Sequence, residues 1–305
     1  MIGQFKKRIR TAWFNSRCRD IFLTSPVKII KDNLAIVSMV CHKDLTMYLI
    51  AIKSLYHYLK QGEIFIVNDG TLTNSDINIL DHHLSFPQII DAKDINVGKC
   101  PKGGTWERLL FIADKAKDYY VVQIDADTLT IDDIPEAISC VLENRSFMIG
   151  NWRRHKVDPM DDYCESINRR NDNSTHVQVI AEKNFYKLKD YKALKYASGS
   201  SAFTGYVKGS FSREVVEMFS REMEEILGAS KWSEWGSEQV ASNFIISNSK
   251  PSAVLPFPKY AAYSPLSGNS YNESSFLHFF GTYRFKSGFY IDKARGMIEK
   301  LMKIV

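Results

Sequence analysis

Short apolar runs of strand length alternate along the chain with segments whose apolar residues recur at helical spacing. The predicted strands cover residues 34–40, 63–67, 88–90, 119–124, 147–149 and 202–207. The predicted helices cover residues 45–59, 73–82, 106–117, 135–144, 212–227, 236–248 and 291–305. Strands that alternate with helices predict an α/β protein with a mostly parallel central sheet flanked by helices.

Two stretches show neither pattern. Residues 153–173 carry many charges with little periodicity, which predicts a long surface excursion without regular structure. Residues 251–265 are also expected to form a loop, because Pro256 and Pro258 cannot lie in a central strand.

The length of 305 residues fits one large α/β domain with short appendages. We divide the chain into a basic N-terminal segment (1–32), the α/β domain (33–285) and a C-terminal amphipathic helix (286–305). The N-terminal segment combines basic and aromatic residues between positions 5 and 22. Two interpretations stay open for it: contact with an anionic membrane surface, or a solvated helix that packs its aromatic rings on the domain.

Composition narrows the class of protein. The net charge of +5 permits an anionic partner but does not indicate nucleic acid. The 5 cysteines are scattered and form no CxxC pair, which argues against a zinc site. No secretory signal pattern and no apolar stretch of about twenty residues occur, so we expect a cytoplasmic chain with free thiols and no membrane span.

The main chemical signal is Asp125-Ala-Asp127 at the end of the apolar run 119–124. Ligands of open α/β sheets bind at the carboxyl ends of the strands. Two aspartates one residue apart point to the same side of an extended segment, and paired carboxylates suit Mg²⁺ or Mn²⁺ holding a phosphate. Asp69 ends an earlier strand in an Asn-Asp-Gly turn, which is either a plain turn or a contact for a nucleotide base or ribose.

Three other interpretations of the aspartate pair can be weighed. Residues 125–136 have the length of a calcium-binding loop, but they lack the glycine that this loop needs at its sixth position. The same residues resemble the first motif of haloacid-dehalogenase-type phosphatases, with Asp125 as nucleophile and Asp127 as general acid; that motif usually opens its domain, whereas about four strands precede it here. A nonenzymatic sheet protein that uses the pair structurally is the third.

The order of these motifs resembles a GT-A glycosyltransferase. A strand, a helix, a strand that ends in Asn-Asp-Gly and a later strand that ends in Asp-Ala-Asp match that fold. Two further matches resemble the retaining family of bacterial lipopolysaccharide galactosyl- and glucosyltransferases and glycogenins. They are Trp106-Glu-Arg108-Leu109, just before the aspartate strand, and His278-Phe-Phe-Gly281-Thr-Tyr-Arg284, which is similar to the family's HxxGxxK signature.

The resemblance implies roles for particular residues. Asp125, Asp127 and His278 would bind Mn²⁺ or Mg²⁺, while the donor would be contacted by Asp69, Arg108, Asp125, Gly281 and Arg284. Arg284 stands where the family has lysine, so it keeps the charge but offers a planar fork. The proline-tryptophan pair that often follows is absent, and the first strand lacks the aspartate that the family usually has nearby.

A segment at residues 236–243 is similar to an acidic-glutamine segment of the same family. The resemblance implies that Glu238 or Gln239 contacts donor hydroxyls or stabilises positive charge at the anomeric carbon. In an inverting enzyme Glu238 would instead be the general base that deprotonates the acceptor. An exposed helix start with acidic residues is the alternative without catalysis.

The implied activity is transfer of a hexose from a nucleotide diphosphate sugar, with a UDP-sugar favoured, to a saccharide hydroxyl. The expected acceptor is a cell-surface glycan precursor, such as one of lipopolysaccharide, that can be lipid-linked. Retention of configuration is favoured over inversion. Peripheral contact with the inner face of the membrane is expected, and a nucleic-acid partner is not.

Overall fold

A computed structural model describes residues 2–151, 155–170, 172–249, 251–265 and 271–303. Residues 153, 154 and 171 of the expected surface excursion and residues 304–305 of the last predicted helix lie outside this range. The helices are α1 (Ile2–Arg17), α2 (Leu45–Leu59), α3 (Asn74–Leu84), α4 (Trp106–Lys115), α5 (Pro135–Leu142), α6 (Met160–Asn168), α7 (Val177–Asn184), α8 (Arg213–Leu227), α9 (Ala229–Trp232), α10 (Ser237–Asn248) and α11 (Phe289–Met302).

The strands alternate with these helices as the apolar pattern predicts. They are β1 (Leu34–Val40), β2 (Glu63–Asn68), β3 (Gln88–Asp91), β4 (Tyr120–Ile124), β5 (Thr128–Thr130), β6 (Ser146–Gly150), β7 (Asp158–Pro159), β8 (Lys195–Tyr196), β9 (Gly199–Tyr206), β10 (Ser252–Leu255), β11 (Tyr260–Ala262) and β12 (Phe276–His278). The largest sheet has seven strands and is mostly parallel, which confirms the α/β class.

The chain divides into two compact units. Unit 1 comprises Met1–Asp91, Ile124–Pro135 and Pro258–Val305, and unit 2 comprises Ala92–Gln123 and Glu136–Phe257. The two units each contain parts of the chain that are far apart in sequence. We describe the packing of each unit by itself.

In unit 1, β1 pairs in parallel with β2, and β2 pairs in parallel with β3. These strands form because their apolar β-branched residues are buried, as the pattern along β1 shows. Helix α2 is buried along most of its length. A small sheet of β11, β12 and β5 lies in the same unit, and its antiparallel β12–β5 pair sets His278 opposite Thr128.

In unit 2, β6 pairs in parallel with β10 and antiparallel with β9. Helices α4, α8 and α10 contribute an aromatic core, in which the rings of Phe219 and Phe244 stack with centroids 4.0 Å apart. Trp106 at the start of α4 meets Trp232 edge-on, with centroids 5.8 Å apart. The first turn of α4 is therefore held by a buried aromatic contact.

Two predictions of irregular structure are wrong. Residues 153–173 contain α6, whose buried residues are Met160, Tyr163, Cys164 and Ile167. Those positions follow the helical spacing i, i+3, i+4, i+7, so the dense charge on the remaining faces hid an amphipathic helix. Residues 251–265 contain β10 and β11, and the two prolines lie between these strands rather than inside them.

Two further expectations concern the cysteines and membrane-spanning helices. All of the cysteines are free thiols: Cys18, Cys41, Cys100, Cys140 and Cys164. Among the residues that the structure describes, no helix combines the length and the apolar character needed to cross a bilayer.

Candidate functional site

The two aspartates of the Asp-Ala-Asp motif lie in a turn between β4 and β5. The Thr128 amide donates a hydrogen bond to the Asp125 carbonyl oxygen at 3.3 Å, and the Thr128 hydroxyl donates to the same oxygen at 2.8 Å. The expectation of an extended segment, with both side chains on one side, is therefore wrong about the backbone. The turn, rather than strand alternation, sets the directions of the two carboxylates.

His278 joins the aspartates because of strand pairing. Strand β12 sets His278 opposite Thr128, and the Phe279 amide donates to the Asp127 carbonyl oxygen at 2.8 Å. His278 Nε2 then lies 3.4 Å from Asp127 Oδ1. One ligand atom from each of Asp125, Asp127 and His278 lies within 4.8 Å of the others. We call these three residues the acid–histidine cluster.

The spacing of the acid–histidine cluster fits a single divalent cation. With bonds of about 2.1 Å, neighbouring ligand atoms around one cation are roughly 3 Å apart and opposite ones roughly 4.2 Å. The 3.4 Å between His278 Nε2 and Asp127 Oδ1 falls in that interval, and ligand atoms of all three residues lie within 4.8 Å of one another. Two carboxylates and an imidazole suit Mn²⁺, Mg²⁺ or Zn²⁺, and the predicted metal ligands are thus brought together.

Arg284 lies on the other side of Asp127. Its Nη2 contacts Asp127 Oδ2, its Nε donates to the Phe279 carbonyl oxygen at 3.1 Å, and its Nη1 lies 3.9 Å from Asp44 Oδ1. Burial alone would raise the pKa of Asp127, but His278 and Arg284 outweigh it and lower that pKa to about 2. Asp127 is therefore ionised at any physiological pH.

Gly281 follows the cluster at the start of a short 3-10 turn. Its φ is +49°, a left-handed backbone value that residues other than glycine rarely adopt. A Cβ built at this position would meet nothing within 4 Å. The backbone requirement explains the glycine, and the open space beside it leaves room for a bound group.

Asp69 uses its carboxylate within its own turn. Its Oδ1 accepts hydrogen bonds from the Thr71 amide at 2.9 Å and the Thr71 hydroxyl at 2.6 Å. The Thr71 hydroxyl also accepts from the His42 amide at 2.9 Å, so the ends of β1 and β2 are linked. The turn interpretation accounts for these contacts, and Asp69 remains exposed at the carboxyl end of β2.

Sequence reasoning missed Asp44, His42 and Asp76. Asp44 approaches Arg284, and its Oδ2 accepts from the Cys41 thiol at 3.1 Å. The ring of His42 is largely exposed, and its Nδ1 lies 2.7 Å from Oδ2 of the buried Asp76. Position in the sequence could have identified His42 and Asp44, because both follow β1 at its carboxyl end, where ligands of such sheets bind.

Arg108 and Glu238 form a second charged site, in unit 2. Arg108 Nη2 lies 3.6 Å from Glu238 Oε2, and both side chains are buried, at 4% and 3% exposure. The Thr105 hydroxyl donates to the same carboxylate oxygen at 2.9 Å. Glu238 lies in the first turn of α10, where the helix dipole favours a negative charge. We call Arg108 and Glu238 the buried ion pair.

Gln239 points elsewhere, because the Ser201 amide donates to its Oε1 at 3.4 Å. The Trp106 ring nitrogen donates to the Ser237 hydroxyl at 3.0 Å, which ties the start of α4 to the start of α10. The interpretation of residues 236–243 as an exposed helix start is wrong, since Ser237 and Glu238 are buried.

The sequence matches no protein-family model, and no curated protein sequence matches it. Solved structures do match. An active-site mutant of LgtC has 8% identity and a TM-score of 0.51, over 89% of this chain and 97% of that one; another LgtC structure is described as a galactosyltransferase with donor and acceptor sugar analogs.

Two further structures match with lower scores. WbbM, a bifunctional glycosyltransferase, has 11% identity and a TM-score of 0.48. The match covers 87% of this chain, and this chain spans about half (49%) of the WbbM chain. Core-mannan synthase A from Aspergillus fumigatus, in its Mn/GDP form, has 9% identity and a TM-score of 0.39, over 71% of each chain. At these identities the likeness concerns the fold, and the LgtC match carries it: this chain has the GT-A fold of glycosyltransferases.

Proposed function

We propose that the protein is a metal-dependent glycosyltransferase that moves a hexose from a nucleotide diphosphate sugar, with a UDP-sugar favoured, to a saccharide hydroxyl. The observation that carries the proposal is the convergence of Asp125, Asp127 and His278 at spacings that fit one divalent cation. When bound, Mn²⁺ or Mg²⁺ neutralises charge on the departing diphosphate.

The residues around the acid–histidine cluster supply the other requirements of this chemistry. Asp125, Asp127 and His278 would hold the cation. Arg284 offers a guanidinium for diphosphate oxygens beside them, and the space at Gly281 admits a phosphate close to the backbone. Asp69, at the carboxyl end of β2, is proposed to contact the base or ribose.

We assign Arg108, Glu238 and Gln239 to the donor sugar, as the family resemblance implies. The contact of Glu238 with Arg108 supports retention, because this carboxylate already has a guanidinium 3.6 Å away. A general base for inversion needs a carboxylate that is directed at the acceptor hydroxyl.

The acceptor is proposed to be a cell-surface glycan precursor, such as a lipid-linked intermediate of lipopolysaccharide, met at the inner face of the cytoplasmic membrane. The argument is chemical: such an acceptor is bound to a bilayer, and this chain has a basic N-terminal segment.

The proposal is tested by thermal unfolding with a panel of UDP- and GDP-sugars, each with and without Mn²⁺. One nucleotide sugar is expected to stabilise the protein only when Mn²⁺ is present, by about 2.7 kcal/mol at a hundredfold excess over its Kd. Release of the nucleoside diphosphate in the presence of saccharide acceptors then measures transfer. Stabilisation that is independent of Mn²⁺, or hydrolysis of aryl phosphates in place of transfer, would contradict it.

A further inference from the structure

The outward side of α1 and of the turn after it exposes large apolar side chains. Ile9 is 53% exposed and Trp13 is 49% exposed, four residues apart on the helix, and Leu23 is 72% exposed just beyond it. Side chains of this size are usually covered in a soluble domain when they lie close together. We call Ile9, Trp13 and Leu23, with the arginines around them, the α1 outer face.

The opposite side of the same helix is firmly packed. Phe14 is fully buried, with its ring centroid 4.5 Å from that of Tyr290 and 5.5 Å from that of Phe285. Cys18 and Ile21 are also fully buried. The helix is therefore held against unit 1 by one side, and Trp13 is exposed because it points away from that contact. The interpretation of a helix that packs its aromatic rings on the domain therefore holds for Phe14 and not for Trp13.

The charge of the α1 outer face is strongly positive. Exposed arginines lie at neighbouring positions of the chain, and Asp20 is the single acidic residue between positions 8 and 31. These arginines are Arg8, Arg10, Arg17 and Arg19. Arg19 Nε lies 3.9 Å from Asp20, with both side chains exposed, so that ion pair is weak.

We propose that the α1 outer face binds the surface of an anionic phospholipid bilayer. Trp13, Ile9 and Leu23 would enter the boundary between headgroups and acyl chains, and the arginines would meet lipid phosphates. A second copy of this chain fits poorly, because two such faces would place their arginines against each other. The inference rests on the proposed function in one respect: the proposed acceptor is linked to a bilayer, which gives a reason for the protein to bind one.

Vesicle flotation tests the proposal directly. The full chain is mixed with vesicles of phosphatidylcholine alone or of phosphatidylcholine with phosphatidylglycerol, without metal or nucleotide sugar. Binding is expected only to the anionic vesicles, and it should weaken with added salt because charges at a surface are screened. Equal binding to both vesicle types, or binding to neither, would overturn the proposal.

Variants separate the two contributions. Changing Arg10 and Arg17 to glutamine should weaken binding about 25-fold, at roughly fivefold for each basic residue near the surface. Trp13→Ser should weaken it roughly tenfold, because the ring then contributes no apolar burial. Light scattering on the free protein measures its mass, and a dimer that Trp13→Ser abolishes would favour a second copy instead.

Matched controls lie in unit 2. Lys189 and Lys192 are exposed, and changing both to glutamine removes the same charge; Met218 is 49% exposed, and Met218→Ser removes a similar apolar surface. These controls should bind anionic vesicles as the natural chain does, and equal weakening in them would contradict the assignment to α1. Failure of vesicle binding leaves the nucleotide-sugar result unaffected, so the two proposals fail separately.

Discussion

The acid–histidine cluster of unit 1 and the buried ion pair of unit 2 both contain carboxylates, but they differ in the groups that surround those carboxylates. Asp127 lies beside Asp125, the imidazole of His278 and the guanidinium of Arg284, which also approaches Asp44. In unit 2, the Arg108 guanidinium lies 3.6 Å from the Glu238 carboxylate. The acids and the imidazole in unit 1 offer several ligand atoms to a divalent cation, whereas the carboxylate in unit 2 has a guanidinium beside it. The convergence of several ligand atoms therefore separates a candidate metal site from an internal ion pair more clearly than residue type does.

The largest expected effect comes from breaking the buried ion pair. Arg108→Met should lower the free energy of unfolding by about 3–5 kcal/mol, because it leaves the Glu238 carboxylate buried without this guanidinium. The double variant with Glu238→Met should recover most of that loss. Urea unfolding of the two single variants and the double variant gives the coupling energy directly.

The same variants separate structure from catalysis. If the pair also contacts the donor sugar, the double variant should regain stability but stay inactive in the transfer assay. Thr105→Val is a milder control, since it removes a single hydrogen bond to Glu238 at 2.9 Å. A fully active double variant would remove Arg108 and Glu238 from the proposed site.

The second effect concerns the proposed metal ligands. Asp125→Asn should weaken Mn²⁺ binding, measured by calorimetry without nucleotide, by about a hundredfold, or about 2.8 kcal/mol, because it removes a charged oxygen ligand. Asp125 suits this test better than Asp127, whose loss would also leave Arg284 without its closest carboxylate. Asp133→Asn, at an exposed aspartate in the loop after β5, is the matched control. Equal Mn²⁺ affinity in both variants would exclude Asp125 as a ligand.

The smallest effect is a pH dependence of stability at Asp127. Its pKa falls from an ordinary 3.8 to about 2 in the folded protein, so the ionised carboxylate stabilises the fold at neutral pH. That contribution is lost as the pH falls through 3.8 towards 2. Relative to Asp127→Asn, the natural chain should lose about 1 kcal/mol of stability between pH 7 and pH 3. Urea unfolding at the two pH values measures the difference, and an unchanged difference would contradict the assignment.

Much of the fold could be predicted from apolar periodicity. The bounds of β1 and α2 agree with the prediction to the residue, because β1 is a continuous apolar run and α2 carries apolar residues at helical spacing. Helix α6 was missed because its apolar residues are diluted by charge, and β12 because three residues show no period. Short strands of this kind are specified by their partners rather than by their own sequence.

The site was predictable in its residue types and only partly in its geometry. Asp125, Asp127 and His278 were identified together from motifs, and the structure brings them together. The turn that aims the aspartates and the contact of Asp44 with Arg284 depend on tertiary packing that no local pattern encodes. The burial of Glu238 likewise follows from the neighbouring α4, which its own sequence segment does not reveal.

The contact between Arg284 and Asp127 spans 157 positions of the chain. During synthesis the aspartates leave the ribosome long before His278 and Arg284, so the nascent chain cannot assemble the acid–histidine cluster and its contact with Arg284 until residue 284 has emerged. Closing so long a loop is slow, and we expect metal affinity to be among the last properties that the protein acquires on refolding. Under the proposed function, Mn²⁺ would then stabilise the finished fold without guiding its early steps.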